Sequence, residues 1–375
     1  MNQHYIQASP ASVAVATFTP TAASAGEVAP VKEAASPWLF SPLVDYACVG
    51  SLTFLVLLPL LLFNITAPTP AFVGTLLIWG NVLVNFPHYA ATYYRVYRDK
   101  TQVLQYPVEA IVTPVVLAVI AVGCFLFPNS LTPWLAFAYL VTSGYHYSGQ
   151  TFGVSMIFLG KAGVRLTPLQ KRSLRLPIYS AYLYRLVELN VVDRERPKVL
   201  QTLVPGLNLP HVMLEISIVT AIVGVIAFLL LNAALYRQNG RALPIVVNMI
   251  VAAHVVWFTM LQFPILMAVV PFLHCLQYLL VTVFFDYKER RSERRSDLTP
   301  AKYFASTLFM RYYAIQVAVG VGLFVLTPLV LTELGAGARA LVIAVVISAV
   351  NLHHFILDGA IWKLRKPAVR QALAA

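Results

Sequence analysis

Long apolar runs recur along this chain, and they limit the folds open to it more than any other feature. A helix of about 20 apolar residues crosses the hydrocarbon core of a bilayer. The runs cover 43–63, 72–98, 107–127, 131–158, 176–192, 211–236, 243–261, 265–285, 303–331 and 338–364. Hydrophobic residues make up 59% of the chain and charged residues only 11%, which excludes an ordinary soluble protein. The sequence predicts an all-α, polytopic integral membrane bundle of about nine or ten transmembrane helices.

The first segment, 1–37, has a different composition. It is rich in Ala, Ser, Thr, Pro and Val and shows no apolar periodicity. Such a segment cannot bury enough apolar surface to fold, so we expect a disordered N-terminal tail. It also lacks the basic start and apolar stretch of a secretory signal, so no cleavage is expected. Residues 38–375 are predicted to form one transmembrane helical domain.

Basic residues are concentrated between the apolar runs, above all in a segment around 160–200 that we predict to be cytoplasmic. If 176–192 crosses the membrane, the basic clusters after residues 94, 160, 287 and 362 all fall on one side. This favours ten spans with both termini in the cytoplasm, in a plasma or inner membrane. The net charge of +12 then reflects loops beside an anionic leaflet and implies no nucleic-acid partner.

Segment 176–192 could instead lie on the membrane surface, and a crossing there would bury two charged residues. If this segment lies on the membrane instead, the basic run 288–295 falls outside the cell, against the positive-inside bias. If it crosses, Arg185 and Glu188 must be paired or only partly buried.

The last apolar run contains an unexpected polar stretch. Asn351, His354 and Asp358 follow at helical spacings of three and four, so they line one stripe, with His353 about 100° around the helix. An ionisable group inside a membrane helix is costly unless it has partners in the protein interior. This stretch is therefore the first candidate for a functional site.

Other histidines lie within or at the end of further apolar runs. They are His88, His146, His254 and His274. Counting at 1.5 Å per residue from the basic flanks places all of these, with His353 and His354, between the cytoplasmic interface and the midplane. We therefore expect several helices to converge on one polar centre. His254 has no polar neighbour at helical spacing, so a hydrogen bond between helices explains it best.

Neutral imidazole and carboxylate together are ordinary ligands of iron, zinc, copper or manganese, and nearby amides orient such ligands. The candidate metal ligands are His88, His146, His274, His353, His354 and Asp358, of which His354 and Asp358 are also the candidate catalytic residues. The candidate orienting amides are Asn85, Gln150, Gln277 and Asn351. The alternative for each histidine is a hydrogen bond between helices without any metal.

These features favour a membrane-bound non-haem metal oxidoreductase, hydroxylase- or desaturase-like, that acts on a lipid or another apolar substrate. Iron is the favoured metal, and an electron-donor protein is the expected partner besides the lipid bilayer. The closely spaced histidine boxes of membrane desaturases and hydroxylases are missing, so no family membership follows. Two alternatives stay open: a proton- or cation-coupled transporter, against which stands the lack of an evident internal repeat, and a haem-binding electron carrier.

Overall fold

The computed structural model describes residues 36–56, 74–75, 78–193, 195–196, 198–260, 264–294 and 297–373. The predicted disordered tail lies outside these residues except for positions 36 and 37, and so do parts of the first two predicted spans. Ser36–Ala375 groups as one compact unit.

The described residues are almost entirely helical, which confirms the all-α prediction. The helices are α1 Pro42–Val56, α2 Phe86–Tyr97, α3 Lys100–Gln105, α4 Val108–Leu126, α5 Pro128–Lys161, α6 Pro168–Glu188, α7 His211–Asn239, α8 Ile245–Thr259, α9 Pro264–Arg294, α10 Pro300–Phe304, α11 Thr307–Glu333, α12 Arg339–Ile361 and α13 Pro367–Leu373. A short antiparallel hairpin, β1 Lys198–Val199 and β2 Thr202–Leu203, lies between α6 and α7.

Within the part of the chain that the structure describes, five helices are long and apolar enough to cross a membrane: α4, α7, α9, α11 and α12. The most apolar windows of α4, α7 and α11 are only 17%, 22% and 17% buried, whereas that of α9 is 83% buried and that of α12 is 56% buried. Helix α9 is therefore the centre of the bundle, and the poorly buried helices expose the apolar surface that suits lipid contact. Together with the composition, these helices suggest an integral membrane protein, while the full number of crossings stays a prediction.

Helix α6, which covers most of the disputed 176–192 segment, has a well-defined start. The Thr167 hydroxyl accepts a hydrogen bond from the Gln170 backbone N–H, and the Gln170 side chain accepts one from the Thr167 backbone N–H. Near its end, Arg185 and Glu188 form an ion pair of 2.6 Å, with side chains only 11% and 13% exposed. The two charges are thus paired, as a crossing at this helix requires.

Glycines bring helices into close contact at two places that matter for the bundle. Gly320 of α11 packs on the backbone of Phe86, and a methyl group added to it would overlap Phe86. Gly224 of α7 packs in the same way against Pro177 and Ser180 of α6. Small residues allow such close backbone approach. The contact at Gly320 fixes the start of α2, which carries His88.

A proline at position 87 is expected to kink or break the helix beside His88 and to free a backbone carbonyl. The structure instead has a widened π-helical turn, Asn81–Asn85, which leads directly into α2, with Pro87 in the first turn. The carbonyl of Leu83, four residues before Pro87, accepts a hydrogen bond from the Tyr313 hydroxyl of α11. Helix α11 therefore satisfies the backbone group that the proline leaves free.

Candidate metal centre

Three histidine side chains meet between three helices. His88 of α2, His146 of α5 and His354 of α12 each place one ring nitrogen within 4.8 Å of the other two. His88 and His354 are 1% and 0% exposed, and the His146 side chain is 8% exposed. A transition metal binds imidazole nitrogens at about 2.1 Å, so three nitrogens around one ion lie about 3.0–3.6 Å from one another. The three rings would have to move inward to reach that spacing.

A fourth ring, His274, comes from the central helix α9. Its centroid lies 5.2 Å from that of His88 and 5.1 Å from that of His146. The ring of Tyr147 stacks on it at 3.7 Å. His274 is 1% exposed and lies on the most buried of the apolar helices.

The imidazole nitrogens of this cluster are buried and lack hydrogen-bond partners within the described part of the chain. This holds for both nitrogens of His88, His274 and His354 and for Nε2 of His146. An unsatisfied buried polar group typically costs about 1–3 kcal/mol, and native structures contain few of them. One bound ion could satisfy several of these nitrogens at once.

Asp358 lies one helical turn after His354 and adds a carboxylate to the cluster. Its Oδ2 atom is 3.5 Å from Nε2 of His354 and 3.9 Å from Nε2 of His146. Its Oδ1 atom accepts hydrogen bonds from the hydroxyls of Thr92, at 2.6 Å, and Tyr278, at 2.7 Å. The carboxylate is thus fixed through one oxygen and turns the other toward the imidazoles, where it can act as a ligand or orient one.

The same spacing repeats on all four helices. The pairs are His88 and Thr92, His146 and Gln150, His274 and Tyr278, and His354 and Asp358. Four residues advance a helix by about 6 Å, so a second polar layer lies one turn beyond the histidines. The histidines of α2, α9 and α12 contact one another, and the residues four positions later, Thr92, Tyr278 and Asp358, contact one another as well. The three helices therefore run in the same direction.

Sequence reasoning missed part of this second layer. Thr92 and Tyr278 were not among the candidates, and neither was Trp362, whose indole N–H donates to the Tyr278 hydroxyl at 2.8 Å. A signal was present, because Thr92 and Tyr278 each follow a candidate histidine by four residues, as Gln150 and Asp358 do.

His353 is not brought into the cluster. Its Nε2 atom lies 3.0 Å from the backbone oxygen of Glu109 and 3.5 Å from the Tyr97 hydroxyl. The ring therefore faces α4 and the side of α12 away from His354. The geometry gives no support to its assignment as a ligand.

The candidate orienting amides bond mainly to the backbone. Gln150 donates to the carbonyl of His274 at 2.9 Å, Gln277 to that of Val49 at 2.7 Å, and Asn351 to that of Ile347 at 2.8 Å. Asn85 donates to the side-chain oxygen of Asn81 at 2.6 Å. These contacts brace the helices that carry the histidines, and none of them reaches an imidazole nitrogen.

His254 has the environment expected of a histidine that bonds between helices. Its Nδ1 atom lies 2.9 Å from the Thr151 hydroxyl, and its Nε2 atom lies 3.1 Å from the carbonyl oxygen of Ile178. Both nitrogens are therefore satisfied without a metal, in contrast to those of the cluster.

A cavity of about 480 Å³ adjoins the centre. His146, Asp358 and Tyr278 form part of its wall, and most other lining residues are apolar or glycine. Its volume lies within the usual range of small-molecule sites, about 300–1,000 Å³. The histidine cluster thus has room for a small molecule beside it.

Comparison with protein-family models, curated proteins and solved structures finds no match to this chain. A function has to be argued from the chemistry of the site, because a helical bundle by itself is compatible with many activities.

Proposed function

We propose that this chain is an integral-membrane metalloprotein that binds a transition metal between His88, His146 and His354. His274 is a candidate fourth ligand, and Asp358 is either a ligand or the group that orients one. The single observation that carries the proposal is the set of buried imidazole nitrogens without hydrogen-bond partners among the described residues, which converge from separate helices. Histidines that served only to join helices would bond in the way His254 does.

We further propose an oxidoreductase, hydroxylase- or desaturase-like, that acts on a lipid or another apolar substrate. Imidazole and carboxylate ligands with an open position suit non-haem iron, which makes iron the favoured metal over zinc or copper. The cavity beside His146 and Asp358 supplies an apolar space at the centre. An iron centre of this kind needs electrons, so an electron-donor protein is the proposed partner.

The contacts between the rings bear on the haem alternative. His88 meets His146, His274 and His354 edge to face, with centroid separations of 6.3, 5.2 and 4.6 Å. A haem held by two of these rings would need a planar slot between them. The close ring contacts favour a single ion over a macrocycle. A visible absorption spectrum of the purified protein tests this directly, since a haem protein shows a strong Soret band.

Elemental analysis of the purified chain is the first experiment. We expect about one transition-metal ion per chain, with iron the most abundant. Absence of a stoichiometric metal after purification without chelators, and after incubation with ferrous iron, would contradict the metal centre. It would leave a transporter that relays protons through the histidines and Asp358 as the better function.

Removing the metal should also lower thermal stability, because an ion that binds only the folded state stabilises it. At a free metal concentration 100 times the dissociation constant, this stabilisation is about 2.7 kcal/mol, and its loss should lower the melting temperature on the order of 5 °C. The measurement is a melting curve in detergent before and after verified chelation. An unchanged curve would mean that the imidazoles satisfy one another without a metal.

The proposed orientation has ten spans with both termini in the cytoplasm, of a plasma or inner membrane. It places the exposed Ser292, near the end of α9, inside the cell and the exposed Ala338, before α12, outside. In a variant with Cys48, Cys124 and Cys275 replaced by alanine, we expect a membrane-impermeant maleimide to label Ala338→Cys but not Ser292→Cys in intact cells. Labelling of Ser292→Cys would mean that 176–192 does not cross.

A further inference from the structure

We propose that the cavity beside the centre binds a single-chain amphiphile with an anionic head group, which enters sideways from the bilayer. The inference rests on the proposed function for the reaction that this substrate would undergo. The binding itself depends only on the cavity and its lining residues.

The cavity is elongated along the helix axes. On α5 its lining extends from Thr142 to Ile157, on α12 from Leu352 to Gly359, and after α12 it includes Trp362, Lys363, Leu364 and Leu373. At 1.5 Å per residue the two helical stretches are about 22 Å and 10 Å long. His146 and Asp358 lie between the two ends. A long space that passes the centre suits one extended hydrocarbon chain.

The cavity is open on one side. Tyr145 of α5 and Ile356 of α12 both line it, and they are 61% and 43% exposed. In the proposed membrane orientation, this surface faces acyl chains. A substrate can therefore enter from the bilayer without first passing through water.

Glycines keep the cavity wide. A Cβ atom added at Gly153 or Gly359 would meet nothing within 4 Å, and one added at Gly149 would meet only the Tyr179 hydroxyl at 3.9 Å. All three positions line the cavity. They differ from Gly320, where the missing side chain allows a neighbouring helix to approach. Here the missing side chains leave space that nothing in the described residues fills.

One end of the cavity carries a positive charge. Lys363 is the only cationic residue among the described residues that line it, and no described hydrogen bond or ion pair involves its ammonium group. An anionic head group beside this ammonium would form a charge-assisted hydrogen bond. Lys363 lies five residues after Asp358, just beyond the end of α12. The hydrocarbon chain of the bound amphiphile would then pass Nε2 of His146, which has no hydrogen-bond partner among the described residues.

The test measures binding of three radiolabelled probes to the full-length protein in detergent: hexadecanoate, hexadecyl phosphate and the neutral hexadecanol. We expect Lys363→Gln to weaken binding of the two anionic probes about tenfold and to leave hexadecanol unchanged. The two anions distinguish a carboxylate from a phosphate head group. Gly153→Leu should weaken all three probes about tenfold or more, because its side chain would fill the cavity.

Gly322→Leu is the matched control, since a Cβ atom there also meets nothing within 4 Å but the residue lies outside the cavity lining. It should bind all probes as the wild type does. Unchanged binding by Gly153→Leu would overturn the assignment of the cavity, and an equal effect of Lys363→Gln on charged and neutral probes would overturn the anionic head group. The same three probes are also measured on metal-free protein. Equal binding there would show that the cavity binds the amphiphile whether or not the proposed metal centre exists.

Discussion

Replacing His354 with alanine is expected to remove the proposed metal from the purified protein. The ring of His354 has its centroid 4.6 Å from that of His88 and 5.1 Å from that of His146, and both of its nitrogens are buried without partners among the described residues. Among His88, His146 and His354, it is therefore the ring closest to the other two. Loss of a direct ligand should exceed the 10- to 100-fold effect of losing an orienting group, so we expect affinity to fall more than about 100-fold. Metal content per chain, measured by mass spectrometry, gives the result.

The adjacent residue supplies the control. His353→Ala changes the same residue type on the same helix, but this ring faces the carbonyl of Glu109. We expect the His353→Ala variant to keep its metal, and His254→Ala to keep it as well, because the partners of His254 are Thr151 and Ile178. Full metal occupancy in His354→Ala would refute a centre at this helix.

The sequence did not determine which of the two adjacent histidines, His353 or His354, faces the cluster. Helical spacing places the two rings about 100° apart, so only one of them can face a given neighbour. Which one does so depends on the rotation of α12 about its axis, which is set by its packing on α4 and α5. Both residues sit in the same apolar run, and hydropathy alone does not distinguish them.

The convergence of the other histidines could be predicted for a physical reason. A polar group in an apolar helix is stable only where it faces other polar groups. The histidines of different helices are therefore expected to face one another, as His88, His146, His274 and His354 do. The all-α class followed from the same apolar composition. Tyr89, Tyr93 and Tyr97 recur at intervals of four, which is typical of an aromatic belt at the membrane interface, but Tyr93 donates to the carbonyl of Val350 at 2.8 Å inside the bundle.

The second polar layer was harder to predict because its members have other common uses. A threonine in an apolar helix usually bonds to its own backbone, and a tyrosine often marks the membrane interface. The i, i+4 spacing from a histidine distinguishes Thr92 and Tyr278 only once the histidines are known to meet. The short β1–β2 hairpin also escaped prediction, since strands of two residues carry no readable alternation.

The second large effect is expected from Asp358. Replacing it with alanine removes the oxygen that lies 3.5 Å from Nε2 of His354, and it also leaves the hydroxyls of Thr92 and Tyr278 without their acceptor. Loss of an orienting carboxylate typically costs 10- to 100-fold in metal affinity, and we expect a loss in that range. Competition with a chelator of known affinity, on protein kept folded in detergent, measures it.

Two further variants separate the charge of Asp358 from its position. Asp358→Asn keeps the shape and an acceptor for Thr92 and Tyr278 but removes the negative charge, so a loss close to that of Asp358→Ala would indicate that the charge itself matters. Tyr278→Phe keeps the carboxylate and removes one of its two hydroxyl donors, which should weaken binding only about two- to tenfold, the usual value of one hydrogen bond. The affinities should thus decrease in the order Tyr278→Phe, Asp358→Ala, His354→Ala. If Asp358→Ala binds metal as tightly as the wild type, the carboxylate is not part of the metal centre. A role in proton relay would then be favoured for Asp358, and with it the transporter as the function of the protein.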